Sequence, residues 1–448
     1  MQHPRAPTAA PFVSAFFALS SVFVSACFQT TYTPAGRGAP RSYAAEFHEI
    51  VPPSAATYAS EPAGPAAPTT PAPSPAPRTD TAGAGMTALA DASFVRVFRQ
   101  RGDTFRADPR LTQLASWIAS RGEAPKDALA VDVMSRRLGY VGPAPWLLYI
   151  EGSSLSEADI EARLARVIES IPRNMPITRY GIGTAGAGAA ESLAIAFASV
   201  EVELEPVPKH LARGQTLHLA GKVGDRFARV DLAITRPDGV VRTFRNGDRS
   251  YRGDLTLTDP GVHKVELLGD GATGPVVLAN FPIYVDVDEP EPPKRFGAER
   301  ASAEASAPLT PALAEQRMLA LLARTREGAR LPPLAEDDEL AALARVHCED
   351  MADHAFFGHV SPTTGTTEDR FRRANLLFPL YGENVARGSS PESAHEMLMD
   401  SPGHRANMIN AEFTHVGIGA VVRPQPSGGR DVFVTLLFAK RPGGKRAP

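Results

Sequence analysis

Two proline-dense stretches cut this chain of 448 residues into pieces that have to fold separately. The first runs from Thr30 to about Gly85 and contains Pro62-Ala63-Gly64-Pro65 and Pro71-Ala72-Pro73-Ser74-Pro75-Ala76-Pro77. Such a composition buries too little apolar surface to offset ordering entropy, so it predicts an extended, semi-rigid spacer. The second, Glu289-Pro290-Glu291-Pro292-Pro293, opens a polar Ala/Glu/Ser linker that ends at Pro308. What lies between and beyond these breaks is long enough for two to four domains. With only two cysteines, Cys27 and Cys348, those domains depend on apolar burial rather than a disulfide framework. Cys348 reads as a buried thiol acting as a small apolar residue. The formal charge of −3, with Lys and Arg scattered along the chain, argues against a nucleic-acid groove.

Residues 1–26 read as a signal peptide: Arg5 precedes an uncharged, largely apolar run, Phe12–Ala26, that is short for a spanning helix. That run ends in Val24-Ser25-Ala26-Cys27, which resembles the bacterial lipobox. The resemblance implies cleavage before Cys27 and lipidation of its side chain, with residues 27–85 tethering the folded part to a membrane. Phe28 and Gln29, with no Asp after the cysteine, favour the outer membrane or cell surface by analogy with lipoprotein sorting.

Residues 86–206 carry apolar positions at helical spacing, among them Phe94, Val97, Phe98, Leu111, Leu114, Trp117, Ile160, Leu164 and Val167. Ser156-Glu157-Ala158-Asp159 predicts a capped helix start. Gly181-x-Gly183-x-x-Gly186 matches a dinucleotide fingerprint in letters only. Strand-like residues lie on both sides of it, so a glycine-rich hairpin is the better reading, followed by a strand over Ser192–Leu204. The segment contains no histidine. Residues 207–288 change to short alternating runs separated by Arg236-Pro237-Asp238-Gly239, Asn246-Gly247 and Asp259-Pro260-Gly261, which predicts an immunoglobulin-like β-sandwich with no evident catalytic group.

After the linker, Thr310-Pro311 predicts a helix start and Asp337-Asp338 a second helix with Leu340, Leu343, Ala344, His347 and Met351 on one face. The remaining motifs are Phe357-Gly358-His359-Val360-Ser361-Pro362, Tyr381-Gly382-Glu383-Asn384, Ser401-Pro402-Gly403-His404-Arg405 and Phe413-Thr414-His415-Val416-Gly417-Ile418-Gly419. They lead into a strand over Asp431–Phe438. In order and spacing these resemble the CAP superfamily (the SCP or cysteine-rich secretory protein domain), over residues 309–441 of the chain, leaving 442–448 as a tail.

The resemblance implies an α-β-α sandwich with a surface cleft lined by His359, His404 and Glu383. The whole chain is then a multidomain α+β protein. Its residues 86–206 invite comparison with a degenerate second copy of the same fold, because Gly181-Ile182-Gly183 parallels Gly417-Ile418-Gly419. The family's second glutamate has no clean match in His395-Glu396-Met397-Leu398-Met399-Asp400, where Glu396 and Asp400 are the candidates.

Imidazole nitrogens suit zinc or another divalent metal, so His359 and His404 are the expected metal ligands, with Glu383 as ligand or base. His347, on the apolar face, reads as a structural histidine. Two function classes follow. The first is an envelope-anchored binding module for a lipid, another small hydrophobic molecule or an envelope component. The second is a metal-assisted hydrolase using the same His/Glu cleft. The absence of a recognisable Ser-His-Asp or Cys-His arrangement favours the binding module.

Overall fold

The computed structural model describes residues 28–31, 52–59, 81–125, 128–152, 155–187, 190–272, 274–292, 308–424 and 430–441. The expected signal peptide, Cys27, most of the first proline-rich stretch, most of the 289–308 linker and the 442–448 tail lie outside these residues. Among the described residues, no helix is long and apolar enough to cross a membrane.

In the C-terminal part, helix Pro311–Gly328 starts where Thr310 accepts a hydrogen bond from the Leu313 amide. Asp337 caps helix Asp338–Asp353 by accepting from the amides of Glu339 and Leu340. The sheet has Ala335–Glu336 parallel to His415–Pro424. Next in order are its hairpin partner Arg430–Ala439 and then Tyr381–Gly388. Helix Asp338–Asp353 lies against one sheet face. A Cβ on Gly417 would stand 2.2 Å from the Ala341 amide nitrogen, and one on Gly419 at 2.2 Å from that of Arg345. Glycine at both positions lets helix and strand approach backbone to backbone.

The first folded segment has the same strand order: Arg106–Ala107, Arg179–Ala187, Ala190–Ala198, Trp146–Gly152. Helix Pro109–Ser120 is capped by Asp108, and a Cβ on Gly181 or Gly183 would stand 2.1 Å from the amide of Thr112 or Ser116. The Gly181–Gly186 run forms a hairpin strand, not a phosphate loop. Ser156 and Asp159 form the expected capping box at helix Glu157–Ser170.

Two expectations shift. The strand expected over Ser192–Leu204 breaks after Ala198. Val202–Leu204 pairs instead with Gly221–Val223 of the middle domain, where Val202 and Leu204 are buried. Two pieces of the expected spacer are also paired: Phe28–Thr31 with Leu147–Ile150, and Thr57–Tyr58 with Val207–Pro208. Tyr58 is fully buried against Phe281, ring centroids 4.9 Å apart, so one aromatic side chain docks a stretch whose average composition is that of a tether.

The middle domain has a three-stranded sheet (Ser250–Thr256, Thr216–Val223, Val202–Leu204) facing a five-stranded one. The latter runs Val241–Phe244, Phe227–Thr235, Gly261–Gly271, Gly274–Val285, His210–Leu211. Val265 and Leu267 point into the core between the sheets, with Leu217, Leu219 and Phe281. Strand alternation therefore sends Lys264 and Glu266 to the opposite, outer face. That outer face is covered by the C-terminal part: Ala406, on helix Pro402–Met408, packs on Ala233, Leu268 and Val277.

Candidate histidine site

His359 sits in a loop held from three directions. Asp350 accepts hydrogen bonds from Ser361, from Thr363 at 2.7 Å and from Thr364 at 3.1 Å. Ser361 Oγ in turn accepts from the amides of Thr363 and Thr364, 2.9 and 2.8 Å away. Arg370 donates to the carbonyls of His359 and Gly365 at 3.1 and 3.0 Å. His347 Nε2 donates to the Gly358 carbonyl at 3.0 Å, and burial lowers its pKa to about 4, so the ring is neutral. This is the structural role expected of His347, with the addition that it fixes the loop carrying His359.

Glu383 projects from strand Tyr381–Gly388. Its Oε1 lies 2.7 Å from His359 Nδ1, and its Oε2 accepts from the Arg370 guanidinium. Burial pushes this carboxyl up, but Arg370 first, then His347 and His359, outweigh burial and hold it well below the usual carboxylate range. An ionised carboxylate can only accept, so His359 Nδ1 carries a proton, and in the neutral ring Nε2 carries the lone pair.

His404 comes from the first turn of helix Pro402–Met408, whose N-cap is Ser401. Its Nδ1 lies 2.9 Å from Ser401 Oγ. Ser401 Oγ donates its own proton to Glu266 of the middle domain, whose other oxygen accepts from the Gly403 amide at 3.0 Å. Asn384 Nδ2 donates to the His404 carbonyl at 3.0 Å, and Asn407 Nδ2 donates to Asn384 Oδ1 at 2.8 Å, tying this helix to the Glu383 strand. Burial, and then the nearby His359, push the His404 pKa well below its ordinary value. Burial also pushes Glu266 up to about 7, against the hydrogen bonds from Ser401 and Gly403 and the charge of Lys264.

The structure thus brings His359, Glu383 and His404 into one neighbourhood, but not as an open cleft. His359, Glu383 and His404 are 5%, 3% and 0% exposed, and the middle domain reaches the site at His359 and at the helix start that carries His404. A Cβ on its Gly274 would stand 3.0 Å from the His359 Cβ. Neither candidate for the missing glutamate reaches His404. Glu396 is exposed, and Asp400 pairs with Lys264 and lies 3.3 Å from Asn280 Nδ2. The acidic group behind His404 is Glu266.

Arg370 and Glu266 are the two site residues that sequence reasoning does not find. Cys348 is a free thiol, fully buried, 3.1 Å from Thr435 Oγ1, and burial pushes it up to about 12, so it is no nucleophile.

With Nδ1 of each ring engaged, the Nε2 atoms of His359 and His404 are both buried without a hydrogen-bond partner. Glu383 is committed to His359 and Arg370. Among the described residues no group of three or more His, Cys, Asp or Glu is placed to hold an ion.

A small mostly antiparallel sheet flanked by helices, with one imidazole brought from a loop and one from a helix first turn near a carboxylate, defines the class of the C-terminal part. Residues 319–438 match the family model of the cysteine-rich secretory protein family, CAP. The C-terminal part of this chain thus carries a CAP domain.

Two Bacillus subtilis (strain 168) proteins are similar to it. The uncharacterized protein YkwD is 36% identical over 125 residues, 28% of this chain and 49% of YkwD. The uncharacterized membrane protein YlbC is 34% identical over 106 residues, 23% of this chain and 31% of YlbC. The chain thus spans about half the length of the first relative and under a third of the second.

Among solved structures, an extracellular protein containing a SCP domain from Bacillus anthracis str. Ames aligns at 23% identity. That alignment covers 50% of this chain and 78% of the other, with a TM-score of 0.27. An outer surface protein from Borrelia burgdorferi aligns at 22% identity over 29% of this chain and 93% of its own, with a TM-score of 0.26.

Proposed function

We propose that this protein is an envelope-anchored binding module in which the Nε2 atoms of His359 and His404 together hold a divalent cation, zinc above all, as the anchor for a small ligand. The observation that carries this reading is the pair of buried Nε2 atoms left without partners. Leaving a buried acceptor unsatisfied costs about 1–3 kcal/mol, and a bound cation removes that cost at both rings at once. Fixing Nδ1–H on Glu383 and on Ser401 is the outer-shell arrangement that prepares an imidazole to ligate. Two protein ligands are fewer than the three usual at a catalytic zinc, which favours binding over turnover.

The hydrolase reading is supported by the same 2.7 Å contact between His359 and Glu383, which would make Nε2 a better base. Equilibrium dialysis of the full chain against Zn²⁺, with His359→Ala and His404→Ala, tests the cation. One ion per chain, lost in both variants, is expected; equal binding by the variants contradicts the reading. Metal-dependent cleavage of peptide, ester or glycan substrates, lost in both variants, would move the protein to the hydrolase class.

The other parts serve position. Lipidation of Cys27 would place the protein on the bacterial envelope, at the outer membrane or cell surface, and Cys27→Ser should release it from the membrane fraction. The two facing sheets of residues 202–285 support an immunoglobulin-like sandwich. The shared strand order, and the matched close approaches at Gly181 and Gly183 and at Gly417 and Gly419, support the reading of the first segment as a degenerate copy of the C-terminal fold. Without histidine, that copy has no corresponding site.

A further inference from the structure

Glu266 is an unusual place for a charge. It is 0% exposed, in the middle of strand Gly261–Gly271, with Val265 and Leu267 on either side buried in the core of the middle domain. A buried carboxylate is retained against a large desolvation cost only where specific partners meet it. Beyond the charge of Lys264 on its own strand, its hydrogen-bond partners are not in its own domain. They are Ser401 Oγ and the Gly403 amide, the two residues that bracket Pro402 ahead of His404.

With Glu266 ionised, as at pH 8.5, the hydrogen-bond directions are determined. A carboxylate accepts, so the Ser401 proton points to Glu266. Ser401 Oγ, its proton so used, is an acceptor toward His404 and takes the Nδ1 proton at 2.9 Å. His404 is left with its lone pair on Nε2, as Glu383 leaves His359. We infer that Glu266, on the middle domain, is a positioning residue of the histidine site: through Ser401 it sets which nitrogen of His404 carries the proton, so the site is complete only when the two domains are docked. This rests on the reading of the site as a two-imidazole cation holder, but the arrangement of protons can be measured without any cation.

The direct test is the ¹⁵N chemical shifts of the His404 ring in the full chain at pH 8.5. The expected pattern is protonated Nδ1 and bare Nε2; the opposite tautomer in the unmodified chain overturns the inference without any variant. In Glu266→Gln the amide can still accept from Gly403 with its oxygen, but its NH₂ must donate to Ser401, which turns the Ser401 proton onto His404 Nδ1. The expected result is an inverted His404 tautomer with His359 unchanged; an uninverted tautomer in the folded variant contradicts it.

Asp400→Asn disturbs the same domain contact at Lys264 without touching Ser401, and should leave the His404 pattern as it is. A change equal to that of Glu266→Gln would make Glu266 merely part of the interface. Zn²⁺ affinity should fall at least tenfold in Glu266→Gln. If the unmodified chain binds no Zn²⁺, the cation reading fails, while the tautomer comparison still decides the role of Glu266.

Discussion

His359 Nδ1 and Glu383 Oε1 lie 2.7 Å apart, and the other oxygen of that carboxylate accepts from Arg370, so one buried anion holds an imidazole and a guanidinium at once. Arg370 is as deeply buried as its partner, with side chains 2% and 3% exposed. Glu383→Ala would leave the guanidinium without its counter-charge, and stranding a buried ion costs about 3–5 kcal/mol. His359→Ala leaves the Glu383–Arg370 pair intact and should cost less, about 1–3 kcal/mol. Urea unfolding of the two variants checks the order. Equal losses would mean the carboxylate matters only through the imidazole.

The close approach of sheet and helix makes a second prediction. A methyl on Gly419 meets the Arg345 amide at 2.2 Å, a backbone atom that cannot rotate away. Gly419→Ala should cost about 3 kcal/mol or more, at the upper end of overpacking effects. A variant within about 1 kcal/mol of the parent in urea unfolding would show that the helix shifts freely there.

Two buried groups push the pH dependence of stability in opposite directions. His347, lowered by burial to about 4, takes up a proton in the unfolded chain before it does in the folded one. Its effect is to reduce stability as pH falls below about 6.5, by up to ~1.4 kcal/mol per unit until about pH 4. Burial lowers His395 to about 4 as well, with the same sign. Glu266, raised to about 7, contributes stability that is present at low pH and is lost as pH rises through 7. Glu266→Gln should therefore stabilise the chain at pH 8.5, on the order of 1–3 kcal/mol, and do little at pH 4.5. Urea unfolding at the two pH values reads this; a variant equally affected at both would remove the assigned cause. The charge that orders His404 is thus held at a cost to the fold.

Much of this was legible in the sequence. Capping residues Thr310, Asp337 and Ser156 marked their helices, and the F-x-H-x-S-P, G-E-N and S-P-G-H-R runs marked the loop, strand and helix start that carry His359, Glu383 and His404. Ser361 closes its loop and Ser401 caps its helix. Arg370 was not legible: it stands among Arg372 and Arg373 on one short helix, and only tertiary packing buries one of the three. Glu266 was hidden more deeply. Its strand reads as half-buried by alternation, with Glu266 on the outer side, and nothing local says that a helix from more than a hundred residues away covers that side. The buried site is the same point seen from the histidines, since the domain that reaches it lies elsewhere in the chain.

Zinc K-edge X-ray absorption on the zinc-loaded full chain tests the central claim most directly. Two imidazole nitrogens at ~2.0–2.1 Å, with the remaining first-sphere atoms light oxygen or nitrogen and no sulfur, are predicted. One of the two imidazoles should be lost in His404→Ala. A first sphere of oxygen alone, a sulfur neighbour, or a spectrum unchanged by His404→Ala would contradict the shared site.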